Sequence, residues 1–173
     1  MKSANEVAVI VQARLSSERC PQKMIRPFAD KTLTQITCEK ILKSKVIPKE
    51  NFFLSVHEPE LVAIGESLGA NVFHRSEYSA VWDGGAGAHI RDMYEWWDKI
   101  PFKYVILVNA CVPFLRVDTI DNFFSHYLQT DSDGLFAVME KKNYFWDENK
   151  NFVTPWPEGE PTLNTKVVGV TYE

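Results

Sequence analysis

The chain has 173 residues, 45% of them apolar and 24% charged, with a formal net charge of −4. These values fit one globular domain with a proper core. The acidic balance argues against a surface that binds nucleic-acid polymers. The longest apolar runs, residues 7–11 and 105–108, are far too short to span a bilayer. The first of them follows Met1–Glu6 directly, contains β-branched residues and ends in Gln12-Ala13-Arg14. It therefore reads as a strand and not as a secretion signal. The three cysteines, Cys20, Cys38 and Cys111, are odd in number, and no two share a metal-ligand spacing. Free thiols in a reducing cytoplasm are the expectation.

Strands and helices alternate along the chain. Residues 6–13 form a first strand whose apolar pattern is nearly continuous, as for a strand covered on both sides. A polar loop, residues 14–23, follows. Thr32-Leu33-Thr34-Gln35 has capping-box chemistry and opens a helix to about Lys45, with Leu33, Ile36 and Ile41 along one side. Residues 52–56 form the second strand. The next helix lines up Leu61, Ile64 and Leu68 and stops at Gly69. Residues 71–73 form a short third strand. Residues 83–87, Asp-Gly-Gly-Ala-Gly, are a turn before a helix that places Ile90, Met93, Tyr94 and Trp97 on one face. Residues 104–108 are a buried strand. Val117, Ile120, Phe123, Phe124, Tyr127 and Leu128 make the clearest helical stripe. Residues 135–139 are expected as a strand, and residues 144–146 and 152–153 as a hairpin around the polar tip 147–150. Pro155, Pro157 and Pro161 punctuate one loop, an excursion from the core and not a domain boundary. This order gives βαβ units around a mainly parallel sheet, with right-handed crossovers placing helices on both faces in a three-layer α/β/α arrangement.

In open α/β sheets, ligands bind beyond the carboxyl ends of the strands. The loop after the first strand, the region of His57 and residues 109–116 qualify. The first loop reads Gln12-Ala13-Arg14-Leu15-Ser16-Ser17-Glu18-Arg19-Cys20-Pro21-Gln22-Lys23 and sets three cations against one acid. Arginine grips phosphate oxygens with paired bonds and lysine acts as a compact charge. Serine hydroxyls and turn amides complete an anion nest. The same residues would also suit a solvated loop.

The pattern A-R-x-x-S-x-R-x-P-x-K, carried by Ala13, Arg14, Ser17, Arg19, Pro21 and Lys23, resembles the acylneuraminate (CMP-sugar) cytidylyltransferase family. It is also similar to the spore-coat polysaccharide cytidylyltransferase-like proteins. The resemblance implies a Rossmann-like, nucleotide-diphospho-sugar transferase-like fold over nearly the whole chain. It implies that Arg14 and Lys23 bind the CTP phosphates, with Ser17 and Arg19 in support and the backbone at Ala13 against the nucleotide. Phe73-His74-Arg75 resembles a segment whose arginine contacts nucleotide. Residues 109–116 resemble the family's Gln-Pro-Thr-Ser-Pro-Leu-Arg stretch, which gives Asn109 and Arg116 to the sugar. Leu163-Asn164-Thr165-Lys166 resembles the strand that closes the sugar pocket, which adds Asn164.

The implied reaction is attack of a sugar acid's anomeric hydroxyl on the α-phosphorus of CTP, with pyrophosphate leaving. The implied cofactor is Mg²⁺ and the implied assembly a homodimer in the cytoplasm, with the aromatic run Tyr144-Phe145-Trp146 as a subunit surface. The chain departs from the family in two ways. The first loop has Leu15-Ser16 and Gln22 where many members have glycine. The family's magnesium carboxylates belong to a C-terminal Asp-x-Asp segment past the Tyr-Glu region, which here is Tyr172-Glu173. A single nucleotidyltransferase domain over 1–173 without those last strands is therefore expected, with no metal ligand assigned. Asp83, Asp92 and Asp118 are available but read first as loop, solvated-helix and helix-start residues. A truncated or non-catalytic nucleotide-binding member, serving as a binding or partner protein, is the alternative. A dinucleotide-dependent oxidoreductase is set aside, because the first turn has no glycine.

Overall fold

The computed structural model describes residues 2–81, 89–156, 158–159 and 168–172. The turn expected at 83–87 and the segment around Asn164 lie outside the described residues. The chain forms two compact units, Met1–Asp131 and Ser132–Glu173.

The first unit is built on β1 (Val7–Gln12), whose residues 7–11 are wholly buried. A continuous apolar strand needs cover on both faces and a partner on both edges, and β1 has both. The chain next makes a small hairpin, β2 (Pro27–Phe28) and β3 (Lys31–Thr32), which the hydropathy pattern did not announce. Helix α1 (Leu33–Leu42) starts as its capping box requires. The Thr32 Oγ1 accepts from the Gln35 amide at 3.2 Å, and the Gln35 side chain accepts from the Thr32 amide at 2.8 Å. The helix ends at Leu42, short of the expected Lys45. Its buried face is Thr34, Thr37, Cys38 and Ile41, while Leu33 and Ile36 are only half-buried. The threonines can turn inward because their hydroxyls are satisfied, Thr34 on the Met24 carbonyl (2.9 Å) and Thr37 on those of Leu33 (2.9 Å) and Ala110 (3.3 Å).

Strand β4 (Phe52–Val56) matches its expected bounds. Helix α2 (Pro59–Ser67) begins with proline at a position where no helical donor is lost. It ends before Gly69, whose φ of +71° suits a residue without a Cβ. Strand β5 (Asn71–His74) follows, then α3 (Glu77–Val81), a turn of helix that was not expected. Helix α4 (Ile90–Met93) is far shorter than the stripe through Trp97 implied. Tyr94, at ψ +55°, leaves the helical conformation, and the following residues turn. Trp96 is buried in place of Trp97, which is 60% exposed. What decides this is a bond, since the Trp96 indole donates to the Gln12 side-chain carbonyl at 3.0 Å. Strand β6 (Tyr104–Asn109) and helix α5 (Val117–Gln129) complete the unit, the helix burying Ile120, Phe124 and Tyr127.

The four-stranded sheet has the order β5-β4-β1-β6, with every pair parallel. Ala8 and Ile10 face one side, against Trp96 and a ring of half-buried aromatic and aliphatic side chains that includes Phe53, Phe73 and Phe102. The alternate residues of β1 face the other side. Helices α1 and α2 connect strands in the same direction, so right-handed crossovers place both on one face. This is a Rossmann-like α/β fold. Strand β6 ends the ladder, and Leu107 is 48% exposed, so its expected burial is only partial.

In the second unit, residues 135–139 are not a strand. Phe136 is 85% exposed, and no ladder partner lies opposite them among the described residues. Pairing instead joins β7 (Glu140–Lys141) to β8 (Thr171–Tyr172), antiparallel. The expected hairpin is present as a single bridge between Trp146 and Phe152. The Asp147 carboxylate holds its tip by accepting from the Asn151 amide (2.7 Å) and side chain (2.9 Å), and Phe152 packs on Tyr144, Trp146 and Trp156.

Gly65 marks where α2 lies closest to the sheet. A Cβ there would stand 2.8 Å from Val72 and 2.9 Å from Leu54. Gly65→Ala is expected to destabilise the protein by about 1–3 kcal/mol through overpacking, read from the midpoint of urea unfolding.

Candidate active site

The parallel register brings the carboxyl ends of four strands level, with Gln12 opposite Ser55 and Asn109, and Val56 opposite His74. From β1 the chain steps outward to β4 and β5, then returns to β6 on the other side of β1. A crevice forms where the strand order reverses. Two adjoining clefts occupy it, of about 890 Å³ and 540 Å³, sharing Gln12, Ala13, Arg14 and Ala110 in their walls.

The larger cleft is lined by the loop after β1, including Ser17, Glu18, Arg19 and Lys23. The sequence places Arg14, Arg19 and Lys23 within one short loop, and the loop's fold turns them around one space. Its near end is fixed by the Ala13 amide donating to the Ser55 carbonyl (3.2 Å). Its far end is fixed by buried Met24, whose carbonyl accepts from the Thr34 amide (3.3 Å) and hydroxyl (2.9 Å). Between them the Leu15 carbonyl accepts from Ser17 (2.8 Å) and Gln22 (3.3 Å), and Gln22 sits at φ +54°. That is the left-handed region glycine enters freely, so the turn keeps a glycine-like backbone without glycine. Arg14 is exposed, and its guanidinium also donates to the Ala80 carbonyl at 3.2 Å.

The smaller cleft is lined by Arg75, Ser79, Tyr94 and Asn109 among others. Arg75 is only 4% exposed and donates to the Ala13 carbonyl at 2.5 Å. Burial, with Arg14 nearby, pulls its pKa down to about 10 against the opposing pull of Glu58 and Glu95. Asn109 is exposed, with its side-chain oxygen accepting from the Cys111 amide at 2.8 Å. Trp96 has only a donor to offer, so the Gln12 carbonyl must face it and the Gln12 amide hydrogens face away.

The structure thus brings Ala13, Arg14, Ser17, Arg19 and Lys23 to one cleft, and Arg75 and Asn109 to its neighbour. It does not bring Arg116 there. Arg116 caps α5 by position, lines a separate hollow of about 700 Å³ with Lys40 and Asp121, and is paired with Asp118 at 2.5 Å. That hydrogen bond holds the Asp118 carboxyl below its usual range. Asn164 lies outside the described residues. Sequence reasoning missed Glu58, whose carboxylate accepts from the Leu15 amide at 2.6 Å, and the Gln12–Trp96 pair. The only available signal was their place at strand ends or within an aromatic run.

The three cysteines are free, and Cys38 is buried, its thiol pushed up to about 12 by that burial. Among the described residues no helix is long and apolar enough to cross a membrane.

A parallel sheet whose switch point opens beside a cation-rich loop is the Rossmann-like α/β arrangement, with its crevice at the carboxyl ends of the strands. The chain belongs to the cytidylyltransferase family, whose sequence model it matches over residues 8–164. No curated protein matches it. Solved structures share its fold. One is a CMP:2-keto-3-deoxy-manno-octonic acid synthetase complexed with CTP, 14% identical with a TM-score of 0.55 over 70% of this chain and 46% of that one. A cytidylyltransferase from Leptospira borgpetersenii serovar Hardjo-bovis (strain JB197) is 21% identical, with a TM-score of 0.58 over 73% of this chain and 50% of that one. A 4-diphosphocytidyl-2C-methyl-D-erythritol synthase from Anaerococcus prevotii DSM 20548 is 13% identical, with a TM-score of 0.57 over 96% of this chain and 66% of that one. The chain spans about half the length of the first two.

Gln22→Gly is expected to stabilise the protein by about 1 kcal/mol, the usual strain of a left-handed non-glycine residue. Thermal unfolding checks it.

Proposed function

We propose that this chain binds CTP and takes part in transferring CMP to the anomeric hydroxyl of a sugar acid of the 2-ulosonic type, such as a sialic-acid-like sugar. The observation that carries this reading is the convergence of Arg14, Arg19 and Lys23 on one cleft at the end of β1, in a chain of the cytidylyltransferase family. A triphosphate's charge suits such a loop. The similar structure named as a CMP-sugar-acid synthetase supports the sugar-acid class. In the reaction the hydroxyl oxygen bonds to the α-phosphorus, the bond from that phosphorus to the β-phosphate oxygen breaks, and the hydroxyl proton passes to water. Arg14 and Lys23 hold the triphosphate and offset the charge gathering on the departing pyrophosphate. Ser17, Arg19 and the backbone at Ala13 support the nucleotide. Asn109 is assigned to the sugar. Arg116 and Asn164 are carried to the sugar by the resemblance alone.

Mg²⁺ would supply further neutralisation of the phosphates. The residues in hand do not fit it. Among the described residues no group of three or more His, Cys, Asp or Glu side chains could hold a metal ion. Among the described residues, Glu18 is the one carboxylate in the walls of the two clefts, so no carboxylate pair faces the phosphates there. This favours a second reading, a member that binds nucleotide without catalysis. The exposed aromatic side chains of the second unit, Phe145 (41%), Trp146 (54%) and Trp156 (49%), support a homodimer through that surface.

Lys23→Ala and Arg14→Ala are each expected to weaken CTP binding about tenfold or more, the scale of a charged hydrogen bond. Calorimetry reads this against ATP, GTP and UTP, and unchanged affinity would reject the phosphate-loop assignment. Binding of CTP that is indifferent to Mg²⁺ would favour the non-catalytic reading. Sedimentation at micromolar concentration is expected to show a dimer, and a monomer there rejects the aromatic interface.

A further inference from the structure

We propose that Glu58 and Arg75 are positioning residues that clamp the backbone on either side of Arg14 and so aim the cationic loop at its ligand. The inference rests on the proposed binding of CTP. Arg75 stands just past β5, with its amide donating to the Val56 carbonyl at 3.0 Å and its carbonyl opposite His57 Nδ1 at 3.2 Å. From that fixed root its guanidinium holds the Ala13 carbonyl at 2.5 Å. Glu58 stands in the capping position of α2, yet its side chain makes no capping bond. Its carboxylate reaches instead to the Leu15 amide, 2.6 Å away and 43 residues distant in sequence. The usual capping residues are Ser, Thr, Asp and Asn; the longer glutamate side chain leaves the helix end and gives its carboxylate to the loop.

The two grips act on consecutive peptide units. One takes the carbonyl before Arg14 and the other the amide after it, so the direction of the Arg14 side chain is set from both sides. The clamp is also incompletely satisfied. Glu58 Oε2 and Arg75 Nε are both buried without a hydrogen-bond partner, a costly state for charged groups. A purely structural ion pair would be better placed if the two groups closed on each other. Here each is turned toward the loop. Arg75, 4% exposed, thus acts on a nucleotide through Ala13 and not by touching it.

The test uses the full chain and two readouts. Without nucleotide, Glu58→Ala is expected to speed hydrogen exchange at the Leu15 amide about tenfold or more, while the amides of β1 stay protected. Glu58→Gln, which keeps an accepting oxygen, is expected to recover part of that protection. In calorimetry, Glu58→Ala and Arg75→Lys are expected to lower CTP affinity while cytidine affinity is unchanged, because the loop serves the phosphates. Unchanged exchange at Leu15 would overturn the clamp. So would equal losses for CTP and cytidine, which signal general destabilisation. If the unmodified protein binds no CTP, the proposed function fails, and the exchange experiment still decides the clamp.

Discussion

Everything in the site hangs from the burial of β1. Its five residues 7–11 have no exposed surface, and parallel ladders on both edges fix its register. A one-residue slip would exchange the side chains packed on its two covered faces and break both ladders. Gln12 and Ala13 therefore leave the sheet at one point and in one direction. The neighbouring strands end level with it, so β4 delivers Glu58 and β5 delivers Arg75 beneath the same turn. The cations of the loop need no rigidity of their own, because the strand and its neighbours supply it.

Much of this was legible in the sequence, because the signals were local and strong. The apolar run of β1, the Thr32–Gln35 capping box, the stop at Gly69 and the stripe of α5 each express a short-range rule, and each has its place in the structure. The cluster of Arg14, Arg19 and Lys23 was legible because all three lie in one loop.

What was not legible depends on long-range partners. Hydropathy pointed Leu33 and Ile36 inward on α1, whereas Thr34 and Thr37 are buried because carbonyls from other segments receive their hydroxyls. The periodicity through Ile90 and Trp97 overrode nothing once the Trp96 indole found Gln12, 84 residues earlier. Residues 135–139 have strand-like composition, yet a strand requires a neighbour, and the pairing goes to Glu140 and Lys141. Arg116 looks like a cleft residue by motif but is held by Asp118, two residues on.

The internal bonds of the site have a consequence for its chemistry as a solvent. Five acceptors that border the clefts already accept from the protein itself. The Ala13 carbonyl takes Arg75, that of Leu15 takes Ser17 and Gln22, that of Ala80 takes Arg14, that of Ala110 takes Thr37, and the Asn109 side chain takes Cys111. The donors that line the open space are guanidinium and ammonium groups and the Gln12 amide, with Glu18 as the one carboxylate beside them. Water filling the clefts is therefore drawn to stand with its oxygen toward the wall. A phosphate oxygen entering the site would take over a posture that water had been keeping for it.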